Sequence, residues 1–572
     1  MTTGNSVKIY YDGDCPFCSR YAALQNLKKN YHPVELINLR HNAAARDFFT
    51  TTGINVDQGM VVEVGGQQFV GQEAVNSLAI MSSNNGLINR LSASLFKSQI
   101  ATRIAYPFLR AGRNITLLAL GRRFMAPEND GDIAKRQIFA FLFGVFTLFH
   151  VIAYFFRYQN EPSFDLFALG AVAAVTTLRP ASMRALLALF AMSLISGWVQ
   201  APLTSNHTFL RNIVALGFAI IFLVHLLRGK TFEQMFRDFS FLGGLALMVM
   251  YVFGVFHKIN TGFLDPEISC GPALWAKMPP PLSWLGGPVI DQMAIWGTYM
   301  VETALLIGLI TNRFRHISIV VGIGFHLLLS ATNFSMFIPF TMLAISLHAL
   351  FLSPKLAENI TTSPLARWSL TVGGHPPRSI LFAIVVVGAC FATLIGMFQA
   401  ATLAALIMVG PLLIAIALNG GVEQPSKLTR SGRMISGFVA AAFFFSCLTP
   451  YAGIRTAQSM NMFANIRLEG DVSNHLVFGA PAALNDIVDI HQASGDHLLS
   501  SAAKRQLLMH WKQVLHQLDQ SPDAIVSYSR NGQRFDNITA TDLTNEIASL
   551  PHPWVRKYIQ FQVVKDGPPT CF

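Results

Sequence analysis

Ser6-Val-Lys-Ile-Tyr-Tyr-Asp-Gly-Asp-Cys-Pro-Phe-Cys18 sets the fold of the first part of the chain. Residues 6–11 are β-branched and aromatic, the pattern of a short strand. The two cysteines stand where that strand gives way to a helical pattern through about Lys29. A helix N-terminus carries partial positive charge, so a cysteine placed there is favoured as the thiolate. Pro16 suits the first helical turn. Cys15 is therefore the expected attacking thiol and Cys18 the resolving one, with Asp12 and Asp14 as supporting groups. No second Cys/His pair follows in this region to complete a zinc set, so no metal is expected.

Outward from this stretch, Val34–Leu39 reads as a second strand and 42–51 as a helix stopped by Gly53. Residues 60–64 and 68–70, joined at Gly65-Gly66, read as a hairpin, and a last helix begins near Gly71. The order β-α-β-α-β-β-α, with Cys-x-x-Cys at the first strand–helix junction, predicts an α/β domain of thioredoxin or glutaredoxin type over residues 1–83. The string from Asp12 to Cys18 closely resembles the DCC family of thiol-disulfide oxidoreductases, over roughly residues 6–110. That resemblance implies dithiol chemistry at Cys15 and Cys18 and a protein thiol as partner. One departure from the wider thioredoxin pattern stands out. The position before the third strand, where a cis-proline is expected, reads Asp57-Gln-Gly-Met60.

The chain is 572 residues long, 52% hydrophobic and only 13% charged, about half the charged fraction usual for soluble domains. Mean hydropathy is +0.42. The net charge of +11 is no sign of nucleic-acid binding, because Lys and Arg sit in short loops between apolar blocks. No apolar stretch opens the chain as a signal peptide would. Residues 84–136 form a basic connector, with Ile100–Tyr106 and Ile115–Leu120 read as short helices along a membrane surface. The bland reading of its charge is a topology signal; the functional one is contact with anionic membrane lipids.

Apolar stretches follow at 137–157, 165–179, 184–200, 209–227, 239–257, 289–311, 316–331, 333–352, 379–397, 400–418 and 434–450. They predict a polytopic helical bundle of about eleven spans over 137–450. Alternate loops are basic (Arg179/Arg184, Arg228/Lys230/Arg237, Arg313/Arg315, Lys355/Arg367/Arg378, Lys427/Arg430/Arg433) and the others are poor in positive charge. With an odd span count, this places the N-terminus in the cytoplasm of a bacterial inner membrane and the C-terminus outside. Residues 451–572 turn soluble in composition and read as a small α+β domain. Within it an amphipathic helix is expected over 505–518, a hairpin at Asn531-Gly532, and a strand over 558–564.

Inside the bundle, Tyr251-Val-Phe-Gly-Val-Phe-His-Lys-Ile-Asn260 ends an apolar helix on two basic residues, which marks a site or an interfacial anchor. This run is similar to a segment of vitamin K-dependent gamma-glutamyl carboxylase, and closer to the related bacterial HTTM proteins. Thr298–Glu302, and Gly324-Phe-His326 followed by Asn333–Pro339, resemble the helices that follow it in that family. The resemblance implies a quinone as cofactor, with Lys258 as the base that deprotonates its reduced form and His257, Glu302 and His326 as supporting groups. A lysine in low dielectric has the lowered pKa such a base needs. The residue-level alternatives are a snorkelling lysine and interhelical hydrogen bonds that fix the bundle. Cys270 and Cys571 are the two cysteines in soluble segments expected outside, and a disulfide between them is the expectation. Three functions stay open: a membrane-anchored thiol-disulfide oxidoreductase, a quinone-dependent carboxylase-like enzyme, and a non-enzymatic scaffold with an external partner.

Overall fold

The computed structural model describes the chain except for residues 1–5, 24–26, 28–30, 32, 83–89, 91–93, 123, 126–127, 159–162, 203–204, 335–336, 422–426, 570 and 572. The expected continuation of the first helix toward Lys29, the start of the basic connector and Arg123 thus lie outside the described residues. The chain forms two compact units, Met1–Asp130 with Ala219–Phe236, and Gly131–Phe218 with Arg237–Phe572.

The first unit is built on β1 (Val7–Tyr11), α1 (Pro16–Ala23), β2 (Val34–Asn38), α2 (Ala43–Thr51), β3 (Val61–Val64), β4 (Gln67–Val70) and α3 (Gln72–Met81). The sheet order is β2-β1-β3-β4. β2 runs parallel to β1 with Val34 opposite Val7, whereas β3 is antiparallel to β1 and β4 to β3. Alternation along the strands fills both faces. Val7, Ile9 and Val62 pack with Ala74 and Leu78 of α3, while Tyr10 and Val61 pack with Phe49 of α2. One difference from expectation matters for the site. The two short surface helices are a single helix, α4 (Gln99–Ala119), that continues through Pro107. It is held by its buried face, Thr102, Tyr106, Arg113, Asn114 and Leu117. Tertiary packing here outweighs the local cost of the proline.

The second unit is mainly helical: α5 (Asp130–Ala153), α6 (Phe164–Leu178), α7 (Met183–Gln200), α8 (Asn206–Arg228), α9 (Phe232–Phe256), α10 (Pro288–Ile310), α11 (Arg315–Ser330), α12 (Phe337–Ala349), α13 (Pro354–Thr362), α14 (Pro376–Leu394), α15 (Phe398–Leu418) and α16 (Arg430–Cys447). Residues 219–236, in α8 and α9, belong to the first unit. Every apolar stretch expected as a span is helical, but among the described residues seven helices are long and apolar enough to cross a membrane. The count is eight if α12 and α13, bent by 115°, form one span. α6 and α11 have 15 and 16 residues, about 22–24 Å of helix against a hydrocarbon core of about 30 Å.

The C-terminal region carries a sheet of order β8-β7-β5-β6-β9, formed by β5 (Ile487–Ser494), β6 (Leu507–His510), β7 (Ile525–Arg530), β8 (Gln533–Ile538) and β9 (Val564–Lys565). Asn531 and Gly532 both take positive φ, as a tight two-residue hairpin turn requires. The helix expected over 505–518 is instead split. Gln506 adopts the left-handed conformation, Leu507–His510 pair as β6, and helix resumes at Trp511–Gln520. The strand expected over 558–564 reduces to β9. The loop after α9 is sewn to this region: Asn260 Nδ2 donates to Ala464 O at 2.6 Å, and Cys270 N donates to Asn465 Oδ1 at 2.8 Å.

Candidate functional site

Cys15 closes the loop after β1 and stands immediately before α1. Its Sγ accepts a hydrogen bond from Cys18 N at 3.1 Å, so the sulfur takes the place of an N-cap oxygen on one of the helix's unpartnered N–H groups. The turn leading in is tight. Cys15 N donates to Asp12 O at 3.2 Å and Asp14 N to Asp12 Oδ1 at 3.1 Å. Gly13 N donates to Asn38 Oδ1, and a Cβ on Gly13 would collide with that same amide, so only glycine fits there.

Asp12 is the electrostatic hinge of the site. Arg40 Nε donates to its Oδ1 at 2.7 Å and Arg113 Nη2 to its Oδ2 at 2.7 Å. Burial alone would raise this carboxyl, but the hydrogen bond from Arg40 and the charges of Arg113 and Arg40 outweigh it and hold Asp12 below its ordinary range. Asp14 lies 3.4 Å from Arg40. Arg113 comes from α4, more than a hundred residues along the chain; its Nη1 also donates to Asp57 O at 2.8 Å. In sequence it was indistinguishable from the topology charges of a basic connector. Tyr106, on the same helix, donates to Gln58 O at 2.6 Å and packs onto Gly59. Gly59 has φ +145°, and a Cβ there would meet the Tyr106 hydroxyl. The position before β3, where a proline was expected, is thus covered by a tyrosine from α4.

Cys15 is lowered to about 7, chiefly by the hydrogen bond from the Cys18 thiol and also by Cys18 N–H and the charge of Arg113, against the opposing pull of burial. Cys18 is raised, first because it donates to Cys15 and then by burial. The thiolate therefore belongs to Cys15. Cys15 is covered from solvent and Cys18 is half-buried, so exposure runs opposite to acidity. Phe17, between them, is 62% exposed.

In the second unit the structure brings together three of the residues singled out in the bundle. Lys258, Glu302 and His326 line one cavity of about 90 Å³, with Tyr251, Phe263 and Phe340 among its walls. Lys258 Nζ donates to both Glu302 oxygens at 3.1 and 3.0 Å and to Gly254 O at 2.7 Å. Gly254 lets the carboxylate approach α9 this closely. Tyr251, which the sequence reading did not single out, places its hydroxyl 2.8 Å from His326 Nε2 and 3.2 Å from His348 Nε2. The signal available in sequence was a tyrosine and histidines within apolar helices, where polar groups are costly unless paired. His257 is not part of this lining. Its ring reaches Tyr451 OH and Ser459 O, each at 2.8 Å, tying the end of α9 to the C-terminal region. Cys270 lines the same cavity and is joined to Cys571 in a disulfide.

No curated protein and no solved structure matches the chain. Residues 9–117 match the model of the DCC1-like thiol-disulfide oxidoreductase family, a span that runs from β1 through Arg113 of α4 and so contains the dithiol with all of the partners described above.

Proposed function

We propose that this protein is a membrane-anchored thiol-disulfide oxidoreductase acting through Cys15 and Cys18. The observation that carries the reading is the asymmetric pair at the start of α1, in which Cys18 donates to Cys15 through N–H and thiol and leaves Cys15 lowered to about 7. In the reductive direction Cys15 thiolate attacks a partner disulfide, forming a Cys15–partner bond and expelling one partner thiolate. Cys18 then attacks Cys15 Sγ and its proton passes to the departing second thiolate. The partner ends reduced by two electrons and the protein holds a Cys15–Cys18 disulfide. Because Cys15 is covered, exchange needs a local opening of the segments packed on it. A protein thiol is the proposed partner. Reaction of the full-length protein with a disulfide substrate, compared with Cys15→Ser, tests the reading: loss of exchange in the variant supports it, and unchanged exchange overturns it.

The loop charges support a multi-pass protein in a bacterial inner membrane, with the dithiol domain in the cytoplasm and the C-terminal region outside. A second reading, favoured by the Lys258–Glu302–His326 cavity, is that the bundle binds a quinone or another flat apolar molecule as a carboxylase-like enzyme would. Its wall is largely aromatic and aliphatic, with few convergent polar groups, the usual make-up of a small-molecule site. Lys258 could act as a base there only once released from Glu302. Organic extraction of the purified protein tests this reading; quinone recovered from wild type but not from Lys258→Met supports it.

A further inference from the structure

Two loops of the C-terminal region are clipped to the ends of helices long and apolar enough to cross a membrane, and both turn apolar side chains outward. The first is Pro551-His-Pro-Trp-Val-Arg-Lys-Tyr558. Its single helical turn, Pro553–Arg556, is rooted by the buried Arg556, whose Nη1 donates to Asp519 Oδ2 at 2.7 Å. With Arg556 turned inward, Trp554, Val555 and Tyr558 face out, and Trp554 is 67% exposed. This loop meets the last turn of α7. Trp198 O there has no partner within the helix, because the residue four further on is Pro202, which lacks an N–H. Lys557 Nζ donates to that carbonyl at 3.2 Å and lies 4.7 Å from the centre of the Trp198 ring. Trp554 stands edge-on to the same ring, with centroids 5.5 Å apart.

The second loop is His475–Phe478. His475 Nδ1 accepts from Val477 N at 3.1 Å and Phe478 N at 3.2 Å, and its other ring nitrogen lies 3.2 Å from Phe256 O, at the end of α9. Leu476 N donates to Ile259 O at 3.0 Å. The Phe478 ring packs on Phe256 and Tyr451. This clip leaves Leu476 and Val477 on the outside, with Val477 68% exposed.

Connectivity puts both clips on one side. α7 ends at Gln200 and α8 begins at Asn206. α8 and α9 are both of spanning length, so α9 ends on the side where α7 ends, and α10 starts from there. Among the described residues four tryptophans are exposed: Trp198, Trp554, Trp284 shortly before α10, and Trp296 in its third turn. All four lie at this end. Tryptophan collects at a membrane–water boundary because its ring is apolar and its N–H is polar.

We propose that the C-terminal region is seated in the lipid headgroup layer on its own side of the membrane. Trp554, Val555 and Tyr558 enter the boundary of headgroups and acyl chains at one point, and Leu476 and Val477 at another. Lipid is the occupant because both seats begin at the ends of span helices, where the headgroup layer already lies against the chain. The seat rests on the reading of this protein as membrane-anchored.

The test places an environment-sensitive fluorophore on single cysteines of the full chain in phosphatidylcholine–phosphatidylglycerol vesicles, with Cys15, Cys18, Cys390 and Cys447 changed to Ala and the Cys270–Cys571 bond kept. Labels at Val477→Cys and Val555→Cys are compared with Arg534→Cys, exposed on β8, and Val387→Cys, exposed midway along α14. Lipid carrying a nitroxide near the top of its acyl chain is expected to quench the labels at Val477→Cys and Val555→Cys about threefold more than at Arg534→Cys, and iodide on both sides of the vesicle to quench them less. Labels at both positions that respond like Arg534→Cys, while Val387→Cys is quenched by the lipid, overturn the seat and leave the spans standing. An unquenched Val387→Cys overturns the membrane reading, and the seat with it. The two test positions lie on separate clips, so either one decides the matter if the other variant fails to fold.

Discussion

Replacing Cys18 with alanine removes both the thiol and its role in setting the acidity of Cys15. Cys15 is lowered from 9.0 to about 7, and the hydrogen bond from the Cys18 thiol is the largest cause. At pH 7 the wild-type sulfur is therefore about half ionised, whereas a sulfur returned to its ordinary value is ionised to roughly 1%. That is about a fifty-fold loss of thiolate. The weaker acid gives a more nucleophilic thiolate, by about six- to tenfold for a two-unit change. Net alkylation of Cys15 at pH 7 should then slow about five- to eightfold. The Cys18 N–H and Arg113 remain in the variant, so this is an upper bound. Any opening step that uncovers Cys15 is common to both proteins, so the midpoint of the pH–rate profile is the cleaner quantity. Iodoacetamide kinetics across pH, with thiolate absorbance in the ultraviolet as a second readout, measure it. A midpoint in Cys18→Ala equal to that of wild type would mean that the acidity of Cys15 comes from elsewhere than the Cys18 thiol.

Other outcomes follow from the same geometry. Arg113→Met leaves Asp12 buried with Arg40 alone, and should cost about 3 kcal/mol in denaturant unfolding while raising the Cys15 midpoint. Asp12 is depressed in the fold, so its contribution is complete above its unfolded value of 3.8 and is lost as pH falls through the lower folded value; Asp12→Asn should abolish that acid-side step. Lys258→Met and Glu302→Gln each strand a buried partner and should each lower stability by about 3 kcal/mol, while the double variant recovers much of the loss in a double-mutant cycle of thermal unfolding in detergent. The Cys270–Cys571 bond closes a separation of 301 residues, so Cys571→Ser should lower the unfolding temperature by the equivalent of about 6 kcal/mol on the chain-entropy account, with non-reducing gels reporting loss of the link.

The strand and helix order of the dithiol domain was legible because Val7–Tyr11 and Val61–Val64 carry β-branched side chains and the Gly-Gly turn fixes the hairpin. The cysteines were legible because Cys-x-x-Cys at a helix start has a chemical reason to be there. Arg113 and Tyr106 were not, since nothing local distinguishes a charge that reaches the site from one that orients a membrane protein. The sequence predicts two short helices in place of α4, because Pro107 signals a break that burial of Tyr106 and Leu117 overrides. The same limit applies over 505–518: Leu507 and Leu508 fit a helical face as well as a strand, and only pairing with β5 and β9 decides between them. In the bundle, apolar blocks predicted helices at each expected place, but helices such as α6 are too short to cross unaided, so helix existence was legible and crossing was not. Lys258, Glu302 and His326 could be picked as costly polar groups, yet their meeting with Tyr251 and His348 depends on helix packing that no local pattern encodes.

The proposed function requires Cys15 and Cys18 to interconvert between dithiol and disulfide. A redox titration of the full-length protein against a thiol–disulfide buffer, with mass tagging of free thiols, tests it most directly. A single two-electron transition is expected, in which the tags on Cys15 and Cys18 are lost together, absent in Cys15→Ser. A pair that stays untagged or stays fully tagged at every potential, or a transition that persists in Cys15→Ser, would contradict it.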